Sequence, residues 1–247
     1  MTTFPQMAGF HLPTPGRFCP PADMLAKIAV FTLASAILAT MLLSVTVSTL
    51  GDALRTWAVP IPVEGISIPL GVLAVALAWT VITRLVKLHD RVSDVLGLRK
   101  RFDIQHILKP MATAVGVSLS AKQEIAMKCS RRRLMSDAFY KYASGGEGKA
   151  VIDEHYVSLA LDQWAWFWII VESMVTWALA GIILVSSAHF IAAAIVLGCV
   201  AASSLLLVLS WQASVRYAQD EIRQITQDQA RQKEIAGIFN ALPGQGA

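Results

Sequence analysis

Charge is scarce in this chain. Only 15% of its 247 residues are Asp, Glu, Lys or Arg, and 55% are hydrophobic, whereas a soluble domain carries about a quarter charged residues. Mean hydropathy is +0.55. Cysteine is nearly as sparse. Cys19, Cys129 and Cys199 are far apart, and no pair has metal-ligand spacing. An odd, scattered set argues against a disulfide framework and leaves small, semi-buried side chains. His11, His89, His106, His155 and His189 share no metal-ligand spacing either, so no metal is expected. His89-Asp90 and Asp153-Glu154-His155 read as mixed polar residues on helix surfaces. The chain has no Walker A loop, no Gly-x-Ser-x-Gly, no His-Glu-x-x-His and no dinucleotide fingerprint. The expectation is a protein that is not an enzyme and needs no cofactor.

What the chain has instead is apolar length. A bilayer core roughly 30 Å thick needs about 20 apolar residues in a helix. Such a helix satisfies its own backbone hydrogen bonds in lipid. Leu25–Leu50, Ile66–Val86, Trp164–Ser186 and Phe190–Trp211 all qualify. The first block is longer than a signal-peptide core, lacks a basic approach and has no small-residue cleavage pattern, so it reads as a retained helix. The fold class expected is an all-α integral membrane protein with four transmembrane helices in two hairpins and a helical cytoplasmic layer.

The cations orient it. The connection Gly51–Gly65 has one, Arg55, and the turn at Ser187–His189 has none. Most Lys and Arg lie between Lys87 and Asp162, with Arg216, Arg223, Arg231 and Lys233 in the tail. The positive-inside rule then places both termini and the middle segment on the cytoplasmic face of the membrane. Trp57, Trp164, Trp166 and Trp211 fall near the interfaces that indole rings favour, while Trp168 and Trp177 sit deeper, between helices. The organisation expected is a proline-rich irregular arm over 1–23, hairpins over 24–86 and 163–212, a basic cytoplasmic region over 87–162 and a C-terminal helix over 213–247.

Within the cytoplasmic region, helix two runs on past Val86 until Gly97, and a short amphipathic piece from Phe102 to Leu108 stops at Pro110. Ser120 and Gln123 form a capping box that starts a helix running to about Tyr142. Gly145–Gly148 breaks the chain, and Asp153 caps a helix that continues into helix three. About 75 residues is small for a self-sufficient core, so this layer is expected to pack between subunits. Helix four also runs on. Ile222, Ile225, Gln229, Gln232 and Phe239 recur in threes and fours, which reads either as a coiled-coil seam with two Gln layers or as an amphipathic helix docked on its own subunit.

Three constellations could carry function. Glu172 lies about 12 Å beyond Trp164 at helical rise. An acid at that depth marks a bundle interior, a water cavity or an ion path. Thr176 is one turn away on the same face, and Arg84 on helix two is a possible partner. The structural alternative is a paired Glu holding helices together. On helix four, Ala194, Gly198 and Ala202 form a small-residue face, followed by Ser203 and Ser204. They read as a close helix contact within a subunit or as an oligomeric pore wall. Lys128, Arg131, Arg132, Arg133 and Lys141 can bind phosphates of a nucleotide or oligonucleotide, rest against anionic lipid, or remain a solvated face.

The overall plan resembles the four-helix membrane effectors of bacterial antiphage systems. The resemblance rests on Leu25–Leu50, Ile66–Val86, Trp164–Ser186 and Phe190–Trp211 with the Arg131–Arg133 layer between them, and on no specific motif. It implies a homo-oligomer, for which a tetramer is favoured, whose basic layer senses a ligand or cytoplasmic protein partner and controls membrane permeability, with growth arrest following. The alternatives are a non-conducting scaffold that recruits a partner and a small transporter. Against the transporter stand the dissimilar hairpins and the absence of a centrally broken helix.

Overall fold

The computed structural model describes residues 21–55, 60–63, 66–143 and 151–243. The arm before Pro21 (with Cys19), Trp57 and the Gly145–Gly148 break lie outside them.

A largely apolar run with no glycine, charged only at Asp23 and Lys27 near its start, makes α1 (Pro21–Thr46), and α2 (Ser48–Arg55) follows almost directly. Two short strands, β1 (Pro60–Val63) and β2 (Ile66–Pro69), then pair antiparallel with Val63 opposite Ile66. This corrects the expected start of the second apolar helix. Prolines without amide hydrogens and their β-branched neighbours keep this stretch extended, and α3 (Leu70–Leu85) begins only after Pro69, its N-cap.

Lys87 takes a left-handed conformation at φ 50°. It bends α3 by 52° into α4 (Leu88–Leu96). Gly97 at φ 62° ends α4, where a left-handed residue favours glycine. Beyond it, α5 (Leu98–Phe102), a π-helical turn π1 (Asp103–Leu108) and α6 (Lys109–Ala114) form one continuous run. Pro110 therefore does not stop the helix. It sits in the first turn of α6, where a missing amide hydrogen is tolerated and the wide turn before it has already shifted the hydrogen-bond register.

The capping box opens α7 (Ala121–Cys129), with Ser120 accepting from the Gln123 amide and the Gln123 side chain from the Ser120 amide. The expected single helix to Tyr142 is broken at Ser130. It continues as α8 (Arg131–Leu134), a second π-helical turn π2 (Met135–Tyr140) and α9 (Lys141–Ala143). Asp153 caps α10 (Glu154–Ser186), and α11 (Phe190–Ile225) follows after a tight turn. Asp228 caps α12 (Gln229–Asn240) through the amides of Ala230 and Arg231.

Among the described residues, three helical stretches are long and apolar enough to cross a membrane: Met24–Thr46, Glu154–Ser186 and Phe190–Ile225. The bent pair α3–α4 makes a fourth if it counts as one span. In this bundle α1 packs between α3 and α10, and α10 lies along α11. Gly181 lets the last pair approach closely, since a Cβ there would stand 2.6 Å from Leu197 Cδ2. Trp168 and Trp177 pack between helices. The outer face of α11 remains exposed, with Ile191, Ile195, Leu205, Leu206 and Leu209 among its apolar residues.

The layer beside the bundle has its own core. Phe102, Leu108, Met111, Met127, Met135 and Phe139 close on Ile222, Ile225, Ile235 and Phe239. This corrects the expectation that the layer needs neighbouring subunits, because the C-terminal helices of the same chain supply the missing apolar surface. The seam after helix four is interrupted at Thr226–Asp228. Ile222 and Ile225 are buried in this intramolecular core, Gln229 is exposed, and Gln232 Nε2 donates to the Thr226 carbonyl at 2.6 Å. That bond caps the end of α11 and is not a polar layer of a coiled coil.

Candidate functional site

Glu172 lies in α10 with no exposed side-chain surface. Its Oε2 accepts from Arg84 Nη2 of α3 at 2.5 Å and from Thr32 Oγ1 of α1 at 2.5 Å. Three helices thus meet on one carboxylate oxygen. Arg84 Nη2 also reaches Thr32 Oγ1 at 3.3 Å. One turn along α10, Thr176 Oγ1 donates to the Glu172 carbonyl at 2.9 Å and accepts from Trp79 Nε1 at 3.0 Å. Ser35 and Ser173 join their hydroxyls at 2.9 Å on the same α1–α10 contact.

The bend at Lys87 adds a fourth helix. It turns α4 so that His89 Nδ1 stands 3.9 Å from Glu172 Oε1, with the imidazole edge-on to Trp168. His89 is therefore not a surface residue, contrary to the expectation, and its side chain is only 19% exposed.

The network holds unused hydrogen-bonding capacity. Glu172 Oε1, His89 Nδ1 and the Nε and Nη1 of Arg84 are buried without a hydrogen-bond partner. Leaving a buried donor or acceptor unpaired costs roughly 1–3 kcal/mol. The Thr32 hydroxyl has one proton and two acceptors, the Ile28 carbonyl at 2.8 Å and Glu172.

The second feature lies in the layer. Lys100, Lys128, Ser130, Arg131, Arg132 and Arg133 line an open recess of about 430 Å³. Arg131 is tied on its inner side to the buried Asp103. Burial pushes the Asp103 carboxyl up, opposed by Arg131. Arg99 hydrogen-bonds Tyr140 in the same cluster, and burial raises the Tyr140 phenol. The two π turns place Asp103 and Tyr140 there, a use to which such turns are often put.

Asp103 follows Phe102 directly, and Phe102 joins the layer to the apolar helices. Its ring centroid lies 4.7 Å from Trp164 and 5.2 Å from Trp211. Phe167 completes the cluster at 5.4 Å from Trp164. His106 packs on Trp211 at 5.8 Å, and burial lowers its pKa.

The other residues singled out from sequence are not gathered at either place. Lys141 pairs with Glu234 and fixes α9 to α12. Ser203 and Ser204 bond the carbonyls of Cys199 and Ala201 on their own helix, at 2.9 and 2.6 Å. Ala194, Gly198 and Ala202 lie on the exposed face of α11, and a Cβ added at Gly198 would meet no other part of the chain within 4 Å. The small-residue face is therefore not a contact within the chain.

Glu221, on the part of α11 that packs into the layer, was missed. Burial pushes its carboxyl up to about 7 from an ordinary 4.5. Because the folded-state value is the higher one, its contribution to stability is fully present below about pH 4.5. It is lost as pH rises through about 7. A shift of that size corresponds to about 3 kcal/mol. Glu221→Gln is therefore expected to be more stable than the parent at pH 8 and indistinguishable from it near pH 4.5, as thermal melts at the two pH values will show.

No curated protein and no solved structure matches the chain. The YmfE protein family matches residues 22–236, which run from the start of α1 into α12 and take in the apolar helices, Arg84, Glu172 and the basic recess. The chain belongs to the YmfE family.

Proposed function

We propose that this chain is an integral membrane effector. Its apolar helices span a bacterial inner membrane, its basic layer lies on the cytoplasmic side, and an anionic ligand or a partner at that layer controls membrane permeability through the Glu172 network. The observation that carries the reading is the fully buried Glu172, held by Arg84 and Thr32 and faced by His89, with unpaired polar atoms around it. An ionisable cluster in hydrocarbon is costly and by default marks a functional path. The exposed small-residue face Ala194–Gly198–Ala202 is the surface through which copies would assemble, with a tetramer as the favoured number. Growth arrest follows when permeability rises, as in the antiphage effectors that the plan resembles.

Orientation is tested by labelling cells that carry single cysteines. Leu54 is buried, so Ala53→Cys and Ala188→Cys, both exposed, serve as outside probes. The native Cys129, also exposed, serves as the inside probe. An impermeant maleimide is expected to label the first two in intact cells and Cys129 only after permeabilisation. Labelling of Cys129 in intact cells would overturn the orientation.

Function is tested by expressing the parent and Glu172→Gln in bacteria with a potential-sensitive dye. The parent is expected to depolarise cells and arrest growth. The variant, which keeps the shape but loses the titratable charge, is expected to alter both while still reaching the membrane. Identical depolarisation by the two would remove Glu172 from the path. Normal growth and potential under every inducing condition would favour the scaffold reading.

A further inference from the structure

Some cations elsewhere in the layer have close carboxylate partners. Lys109 pairs with Glu124 at 2.8 Å, and Lys141 pairs with Glu234. The recess is different. No carboxylate lines it, although five cations do. Arg133 has Asp137 at 3.3 Å on an exposed turn, and Arg131 has Asp103 beneath it. Lys100, Lys128 and Arg132 have no ion-pair partner among the described residues. Like charges held around one hollow repel one another, and an anion relieves the repulsion. Guanidinium forks and ammonium groups with a neighbouring hydroxyl, here Ser130, suit phosphate oxygens.

The lining also limits what is read. It contains no aromatic side chain, so it has no platform on which a base could stack, as recognition of single-stranded nucleic acid requires. Charge is read, and a base is not.

Arg131 is the connecting group. One face of its guanidinium holds Asp103, and the residue also lines the recess. Asp103 is joined through Phe102 to Trp164 and Trp211, which lie within α10 and α11. We propose that the recess binds a phosphate group carrying at least two charges, and that the phosphate competes with Asp103 for Arg131. Ligand binding then loosens the tie beside Phe102 and carries the signal to the apolar helices. This deepens the proposed function by naming its ligand chemistry, but binding is measurable without any permeability readout. The two therefore fail separately.

The test uses the full chain, purified in neutral detergent and stripped of lipid. It is titrated with inorganic pyrophosphate, ADP, and short-chain phosphatidylglycerol or phosphatidylcholine below their micelle concentrations. Lys128 and Arg132 are exposed, so Lys128→Ala/Arg132→Ala is expected to fold as the parent does and to weaken binding by about tenfold or more. Asp103→Asn frees Arg131 and is expected to strengthen binding about threefold or more. Equal affinity for pyrophosphate and ADP, with neither lipid bound, identifies a free phosphate as the ligand. Binding of phosphatidylglycerol alone, a phosphodiester with one charge, overturns the requirement for a doubly charged phosphate. No binding of any anion overturns the site. Unchanged affinity in the double variant overturns it as well. Binding that Asp103→Asn leaves unaltered, in protein that melts normally, overturns the competition for Arg131.

Discussion

Glu172→Leu is expected to destabilise the apolar bundle by about 3–5 kcal/mol, and adding Arg84→Leu is expected to restore most of that loss. Removing one member of a buried ion pair strands the other, whereas replacing both with apolar groups is often neutral or stabilising. Here the stranded group would be Arg84, whose Nε and Nη1 already lack partners. Thr32 would lose its stronger acceptor and fall back on the Ile28 carbonyl. Unfolding of the two single variants and the double variant in detergent gives the coupling directly. Additive losses would show that the 2.5 Å contact contributes no pairwise energy. The double variant is also informative about function. If it is stable but inert in cells, the pair exists for activity and not for fold.

The second large effect is expected at the junction. Phe102→Ala removes a ring packed on Trp164, Trp211 and His106. Such a deletion costs about 3–5 kcal/mol, and the aromatic contacts themselves account for part of it. The consequence is not only stability. Phe102 sits between Asp103 in the layer and the two long helices, so the variant is expected to bind anion at the recess as the parent does while losing the response of the bundle. Phe102→Leu, which keeps most of the volume, is expected to recover stability first. A stable Phe102 variant that responds like the parent would show that the signal does not travel through this contact.

The parts of this molecule visible in its sequence are those governed by local rules. The capping box at Ser120 and Gln123, the Asp153 cap and the break at Gly97 depend on a few neighbouring residues, and they stand where the pattern put them. Apolar length alone identified three helices able to cross a membrane, and a fourth if the bent pair α3–α4 counts as one span. Glu172 and Arg84 could be coupled because so few charges interrupt apolar runs. His89 could not be found that way. It reaches Glu172 only because Lys87 adopts a left-handed conformation, and neither Val86 nor Lys87 is a residue that favours a bend. The strands before Pro69 were hidden by their own hydrophobicity, which reads equally as the start of a helix.

The layer is hard to read from sequence for a related reason. Its core needs Ile225, Ile235 and Phe239 from the far end of the chain, and no local periodicity shows that α12 packs on α6 and π2. The seam through Gln229 and Gln232 has the right spacing for a coiled coil, but three residues at Thr226–Asp228 interrupt the helix. The junction of Asp103 with Arg131 depends on two π turns. These turns alter which side chains face each other without leaving a sequence mark.

The most direct test is ion flux through liposomes that contain only the purified chain, measured with and without pyrophosphate, for the parent and for Glu172→Gln. The expected result is a flux that changes when the phosphate is added to the side bearing the basic layer, with that change altered or abolished in the variant although the protein inserts equally well. Liposomes that stay tight to ions with the parent protein, with and without the phosphate, would contradict the effector reading.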